Sequence, residues 1–475
     1  MIEDITDKVS HNCGVVVAHT LHDVYSFIKS LQHRGREAAG IAAIGDGRID
    51  VIKWKGTVST FDITDLYKIL DSSRYHTYMA HVRYATRGRK DKILEDAHPH
   101  VIGGRVENRG NHIIIMDCDA AIVHNGTLLD ESLYEVDRSL CRTGCDSEAL
   151  LHLFYNHTSE RDILKNVSGS FTAAIAHKRR NDVIVMRDKK GMKPGGLGWK
   201  DGKYCVVSED IALRKNGGAF RGDLQPGAVY YMHPDGTYEK EVVVQPDIKH
   251  CFFEWNYLCD VESVVNGVSV MNLRTRLGEI LAEEFPFEDL DFVTYLPRCP
   301  EAAAIRYAEI LDIPFINLFY KMRSERAFQG STADERKLSI YQNVFLNPEI
   351  TRLIRGKKVA VIDDSLIRGN NIRRELELLT GAGVAEARHI NYTPQIGIIG
   401  NDGIKRFCKG GGVDMTVDDD YIARGKSPKE ISDKVGMGVH YISQEGMFNA
   451  FSDFGLNKGN LCHFCIGGPD IFDSG

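Results

Sequence analysis

No stretch of this 475-residue chain approaches the roughly 20 consecutive apolar residues that a membrane-spanning helix needs. The opening residues, MIEDITDKVSHN, have neither a basic start nor an apolar run, so no secretory signal is predicted. Positive charge is not in excess either: the net charge is −7, which argues against nucleic acid or an anionic membrane as the main partner. These absences together predict a cytoplasmic protein. Cysteine, by contrast, is plentiful. Eleven cysteines in a chain of this type point to metal ligation, catalysis or plain burial and away from disulfides. With 43% hydrophobic and 26% charged residues, the composition is that of an ordinary globular protein, long enough for two or three domains.

The stretch KKVAVIDDSLIRGNNIRR (357–374) carries the clearest chemical signal. Val359, Ala360, Val361 and Ile362 read as a buried strand that stops at two carboxylates, Asp363 and Asp364. Ser365, Arg368, Gly369, Asn370 and Asn371 follow in a loop, and 372–379 has helical spacing. A strand, loop and helix of this kind presents backbone N–H groups and a positive helix end to a phosphate. The two aspartates would repel a phosphate, and suit ribose hydroxyls or a Mg²⁺ ion. VIDDSLIRG resembles the phosphoribosyl pyrophosphate signature of type I phosphoribosyltransferases. Where that family has Gly-Thr-Thr, this chain has Gly369-Asn370-Asn371.

Nearer the N-terminus, five short motifs occur in order: HNCG at Cys13, LQHRG with Arg34 and Gly35, HVRYATRG with Arg83 and Thr86, VHNG with Asn125 and Gly126, and CDSEA with Asp146. Each alone reads as a turn, a cap or a surface charge. The ordered set resembles the glutaminase domain of class II glutamine amidotransferases, which are N-terminal-nucleophile hydrolases. The resemblance implies an αββα four-layer fold and removal of residues 1–12 as a propeptide. Cys13 then becomes the nucleophile, with its own α-amino group as base; an unperturbed α-amino pKa of roughly 7.7–8.0 suits that role. It further implies Asn125 and Gly126 as the oxyanion hole, Arg83 with Thr86 for the glutamine α-carboxylate, and Asp146, read as cap-like, for its ammonium. Arg34 and Gly35 match the loop that positions the nucleophile, and are counted with the glutamine-binding residues.

From 167 to about 244, short apolar runs alternate with turn signals and are predicted to form the second sheet of that sandwich, with MRDKKGMKPGGLG a structural segment. The stretch 242–251 reads as a linker, so the expected domains are 13–250 and 251–475. Beyond it, strand-like and helix-like runs alternate, as a parallel sheet requires. The tandem order is similar to that of the amidophosphoribosyltransferase family. That implies glutamine-dependent synthesis of 5-phosphoribosylamine from phosphoribosyl pyrophosphate, the first committed step of purine biosynthesis, with purine nucleotides as possible feedback effectors and a homo-tetramer expected. The polar stretch 321–339 matches the family's flap, with Lys321, Arg323 and Lys337 at its basic positions. Departures are Leu296-Pro297-Arg298-Cys299 for Val-Pro-Asp-Ser, and Asp260-Val261-Glu262-Ser263 for Arg-Pro-Asp-Ser. Another phosphorylated acceptor, or a nucleotide-sensing protein with an inactive transferase half, are the competing readings.

Cys462-x-x-Cys465 by itself fits Zn²⁺, an iron–sulfur cluster or two unrelated thiols. One branch of the resembled family holds a [4Fe–4S] cluster on four cysteines, whose positions match Cys251, Cys408, Cys462 and Cys465.

Overall fold

The computed structural model describes residues 13–83, 92–133, 136–156, 158–321, 344–411 and 416–472. Thr86, Arg323 and Lys337 lie outside the described residues, as do residues 1–12. For Lys321 only the backbone is described, at the end of a strand.

In the first half, thirteen strands alternate with short helices. The strands are β1 (Gly14–Ala18), β2 (Ala38–Gly45), β3 (Arg48–Lys55), β4 (Thr77–Arg83), β5 (His100–Asn108), β6 (His112–Leu128), β7 (Gly169–His177), β8 (Val183–Arg187), β9 (Gly196–Lys200), β10 (Lys203–Val207), β11 (Ala219–Asp223), β12 (Ala228–Met232) and β13 (Tyr238–Val242). The helices are α1 (Leu21–Ser30), α2 (Ile63–Ile69), α3 (Asp146–Tyr155), α4 (Glu160–Asn166) and α5 (Ile211–Arg214). GVVVA and AAGIAAIG are buried at every position, which is why they read as unbroken small and apolar runs and not as alternating ones.

Hydrogen bonding runs β11-β9-β10-β1-β4-β2-β3-β6-β7-β8-β12-β13, with β5 also on β6. Strand β6 serves both layers: Ile113, Ile114 and Ile115 pair with β3, and the stretch from Ala120 onward pairs with β7. Between these parts Asp117 takes φ 62°. Val15, Val17 and Val51 meet Val123, Ala174 and Val185 between the layers. The outer faces are covered by α1, through Val24, Phe27 and Ile28, and by α3 and α4, through Leu150, Leu151 and Ile163. The architecture is therefore αββα. One expectation is corrected: residues 167–244 do not all enter the second sheet, because β10 pairs with β1 and draws β9 and β11 with it. Burial on both faces makes strands of either layer look alike in sequence.

The second half contains β14 (His250–Cys251), the hairpin β15 (Val264–Val265) and β16 (Val268–Ser269), α6 (Val270–Glu284), β17 (Phe292–Tyr295), α7 (Glu301–Leu311), the pair β18 (Phe319–Lys321) and β19 (Val344–Leu346), and α8 (Pro348–Thr351). It continues with β20 (Lys358–Asp363), α9 (Asn370–Ala382), β21 (Glu386–Asn391), α10 (Pro428–Val435), β22 (Gly438–Tyr441), α11 (Gln444–Ser452) and β23 (Leu461–Cys462). Strands β17, β20, β21 and β22 form a parallel sheet in that order. β20 is central and buried, so its C-terminal end opens where ligands of such sheets bind.

The start of β7, the end of β8 and the segment after it join the halves. Arg187 donates to Asn266 Oδ1 at 2.9 Å, Lys193 donates to the Gly411 carbonyl at 2.9 Å, and Ser170 Oγ donates to the Gly410 carbonyl at 2.6 Å. Arg187 and Lys193 are fully buried, in keeping with a structural segment.

Candidate active sites

Cys13 is fully buried at the head of β1, a strand that packs across β6 and β7. Its carbonyl accepts a hydrogen bond from Arg34 Nε at 2.9 Å. The remaining guanidinium nitrogens of Arg34 reach Glu209 at 2.5 Å and Glu254 at 2.9 Å. Arg34 was expected in the loop that positions Cys13 and among the glutamine-binding residues; in the structure it is a buried clamp on the Cys13 backbone, with its other guanidinium nitrogens taken by Glu209 and Glu254. Gly35 serves the same corner. A Cβ there would stand 2.4 Å from the Arg83 carbonyl carbon, so only glycine lets the two backbones meet.

Arg83 is buried, lies 3.2 Å from Glu37 and 3.5 Å from Asp96, and has Nε and Nη2 without hydrogen-bond partners. On β6, Asn125 is fully buried and neither atom of its amide is hydrogen-bonded. Each such orphaned group costs about 1–3 kcal/mol, a cost that a donor kept for a ligand explains. Gly126 follows with φ +153°, tight against the Ser170 carbonyl. Asp146 is the first residue of α3; Cys145 is its N-cap, so the cap-like reading of Asp146 is corrected. One Asp146 oxygen accepts the Leu128 N–H at 2.8 Å, and burial pushes the carboxyl up to about 6. Such a carboxyl gains from a cationic partner.

At the end of β20 the two aspartates diverge. Asp363 turns inward: one oxygen accepts the Asp364 N–H at 2.9 Å and the other lies 3.6 Å from His389 Nε2. Burial, and then the charge of Asp364, push the Asp363 carboxyl well up. Asp364 is only half-buried and accepts from Ser365 Oγ at 2.6 Å; burial raises it to about 6. Both aspartates were expected to act on the ligand; Asp363 is the more buried and is engaged by His389, while Asp364 is hydrogen-bonded to Ser365 of the loop. Gly369 has φ 78°, with Ile422 Cδ1 2.7 Å from where a Cβ would be, and α9 starts at Asn370 with no side-chain cap. The first-turn N–H groups of α9 thus meet no capping side chain. Asn371 Oδ1 is buried without a hydrogen-bond partner, and Arg368 lies 3.4 Å from Asp419. Cys299 turns its thiol to the Tyr257 carbonyl at 3.5 Å.

A family model described as a glutamine amidotransferase domain matches residues 106–215. The amidophosphoribosyltransferase of Archaeoglobus fulgidus is 30% identical, over 96% of each chain. The chain belongs to the amidophosphoribosyltransferase family. The enzyme of that name from Bacillus subtilis is 28% identical over 89% of this chain and 85% of its own. A solved structure, described as the allosteric regulatory enzyme of purine biosynthesis, superposes with a TM-score of 0.78 at 25% identity, covering 97% of this chain and 96% of that one. The B. subtilis glutamine phosphoribosylpyrophosphate amidotransferase complexed with ADP and GMP shares the fold, with a TM-score of 0.78 at 24% identity over 97% of both chains. As in that family, this chain is an enzyme, a glutamine amidotransferase and pentosyltransferase.

Cys251 on β14 stands directly beside Cys462 on β23 in parallel register. Burial, then the charge of Cys408, raise both Cys462 and Cys465, and Cys251 is raised by burial, Cys408 and Cys462. The structure thus pairs Cys251 with Cys462 and sets the charge of Cys408 against Cys251, Cys462 and Cys465; thiols are donors for soft metal centres. A second group was missed in the sequence: His98, His100 and Cys145 converge with all ligand atoms within 4.8 Å of one another. The His-x-His spacing was the available signal, but Cys145 comes to it from another element. No helix among the described residues is long and apolar enough to cross a membrane.

Proposed function

We propose that residues 13–250 hydrolyse glutamine and that residues 251–475 use the released ammonia to make 5-phosphoribosylamine, pyrophosphate being displaced from C1 of phosphoribosyl pyrophosphate. The observation that carries this reading is the buried, unbonded amide of Asn125 in the sandwich headed by Cys13. With residues 1–12 removed, the α-amino group of Cys13 takes the thiol proton and the sulfur attacks the glutamine amide carbon. Asn125 Nδ2 and the Gly126 N–H receive the oxyanion, and the α-amino group returns the proton to the departing ammonia. Water then releases glutamate from the thioester. Arg83, with Thr86, holds the substrate carboxylate, and Asp146 its ammonium.

In the second half, the α9 N-terminus and the loop from Ser365 to Asn371 take the 5-phosphate, and Asp364 takes the ribose or a Mg²⁺ ion that would neutralise the pyrophosphate. Lys321, Arg323 and Lys337 are assigned to the flap over the pyrophosphate. Cys251, Cys408, Cys462 and Cys465 are the donors for a [4Fe–4S] cluster, which would tie β14, β23 and the segment around Cys408 together. Purine nucleotides as effectors, a homo-tetramer and a cytoplasmic location complete the proposal; the relative complexed with ADP and GMP supports the first. The test is glutamate release by the purified enzyme: strict dependence on phosphoribosyl pyrophosphate supports the reading. Release that ignores it favours a different acceptor.

A further inference from the structure

We propose that His98, His100 and Cys145 form a site for one transition-metal ion of the Zn²⁺ class, placed against the helix that carries Asp146. The three residues come from the loop before β5, the first position of β5 and the N-cap of α3, and their ligand atoms all lie within 4.8 Å of one another. All three are buried: His98 at 0%, Cys145 at 2% and His100 at 3% exposure. His100 Nε2 has no hydrogen-bond partner. A buried imidazole nitrogen without a partner costs the desolvation of that nitrogen with nothing in return, unless a ligand completes it. The rings are already gathered, with centroids of His98 and His81 4.1 Å apart and those of His98 and His100 4.5 Å apart.

The donor set selects the ion. Two imidazoles and a thiolate suit zinc or a similar borderline cation and disfavour Mg²⁺ or Ca²⁺, which take oxygen ligands. Tetrahedral ligation at the usual bond lengths holds donors about 3.5 Å apart, within reach by side-chain rotation of about 1 Å from the present spacing. On binding, the Cys145 S–H bond breaks, its proton passes to solvent, and a sulfur–metal bond forms; the two imidazoles bind as neutral donors. One proton is released per ion. The fourth position stays open to water or an exogenous ligand.

The ion would brace two parts of the glutaminase site. Cys145 is next to Asp146, and Ser147 Oγ lies 2.7 Å from His124 Nδ1, the residue before Asn125. This role, unlike the site itself, rests on the glutaminase reading above.

The test is titration of the full-length enzyme with Co²⁺ alone, followed by absorption. One equivalent should give a thiolate-to-cobalt charge-transfer band with tetrahedral d–d bands, displaced by Zn²⁺. Cys145→Ser and, separately, His100→Phe, which keeps the volume filled, should lose that equivalent or weaken it at least hundredfold. Cys462→Ser should retain it, which separates this site from the four-cysteine constellation. Circular dichroism identifies variants that remain folded. A cobalt band that persists undiminished when Cys145→Ser is added to a folded variant in which Cys251, Cys408, Cys462 and Cys465 are all changed to serine, or its absence in that four-serine parent, overturns the proposal. The readout does not use glutamine, so failure of the glutaminase reading would leave it standing.

Discussion

Arg34 donates to Glu254 at 2.9 Å while the same guanidinium holds the Cys13 carbonyl at 2.9 Å, so one buried side chain connects Cys13 to the opposite half of the chain. Glu254 is in turn 3.4 Å from Lys193, and Glu209 completes the shell around Arg34. Breaking one partner of such a buried network costs about 3–5 kcal/mol, because the remaining charges keep their desolvation penalty. Glu254→Gln should therefore lower stability on urea unfolding by an amount of that order. It should also depress glutamine-dependent synthesis more than ammonia-dependent synthesis. Equal loss of both would show that the contact is purely structural.

The proposed nucleophile, Cys13, and the proposed phosphate loop lie in different halves of the chain, so their activities should separate. Cys13→Ala is expected to abolish glutamine-dependent synthesis and spare the reaction with added ammonia. Intact-mass measurement of active enzyme should give a chain beginning at Cys13. Retention of residues 1–12 in fully active enzyme would refute the N-terminal-nucleophile mechanism.

The candidate site was legible as far as its proposed chemistry is written in contiguous residues. Cys13-Gly14 and His124-Asn125-Gly126 each place a proposed reacting group beside the glycine that follows it. What escaped depends on pairings between distant segments. Arg34 and Glu254 are 220 residues apart, and nothing local to either says that a guanidinium will turn from substrate to a partner in the other half. Cys145 looked like part of an ordinary cap, and its meeting with His98 and His100 appears only when β5 and α3 pack together. The four layers were implied by the resemblance, and strand patterns could not assign β9, β10 and β11 to a layer, since burial leaves the same signature in both sheets.

His389 gives a pH prediction. Burial disfavours its imidazolium, but Glu375 at 2.8 Å, and Asp363 beyond it, outweigh that and raise it from 6.5 to about 9. A raised basic group stabilises the fold below its unfolded pKa, so this contribution is fully present below 6.5 and is lost as pH rises through about 9. His389→Gln should flatten the fall in stability across that window in pH-dependent chemical denaturation. An unchanged slope would mean that the pair is neutral.

The cysteine constellation predicts iron. Anaerobically purified enzyme should be brown, with broad visible absorption, and Cys251→Ser should lose the iron and loosen the pairing of β14 with β23. Stoichiometric zinc with no iron at these residues would refute the cluster.

The phosphate loop decides whether the transferase half works as proposed. Phosphate affinity at such a loop comes from main-chain N–H groups and the helix end, and Gly369, with φ 78°, sets that backbone whatever side chains follow. Asn370→Thr combined with Asn371→Thr should therefore change the apparent affinity for phosphoribosyl pyrophosphate by no more than about tenfold, equivalent to about 1.4 kcal/mol. Asp364→Asn should cost far more, since Asp364 is the carboxylate hydrogen-bonded to Ser365 of the loop and proposed to hold the ribose or the metal. Asp363→Asn should act differently, through stability, because Asp363 faces His389. Steady-state kinetics and unfolding measured on all three variants distinguish these outcomes. Turnover unchanged in Asp364→Asn, or a reaction gained only by the double threonine variant, would mean that the loop is not a working phosphoribosyl pyrophosphate site.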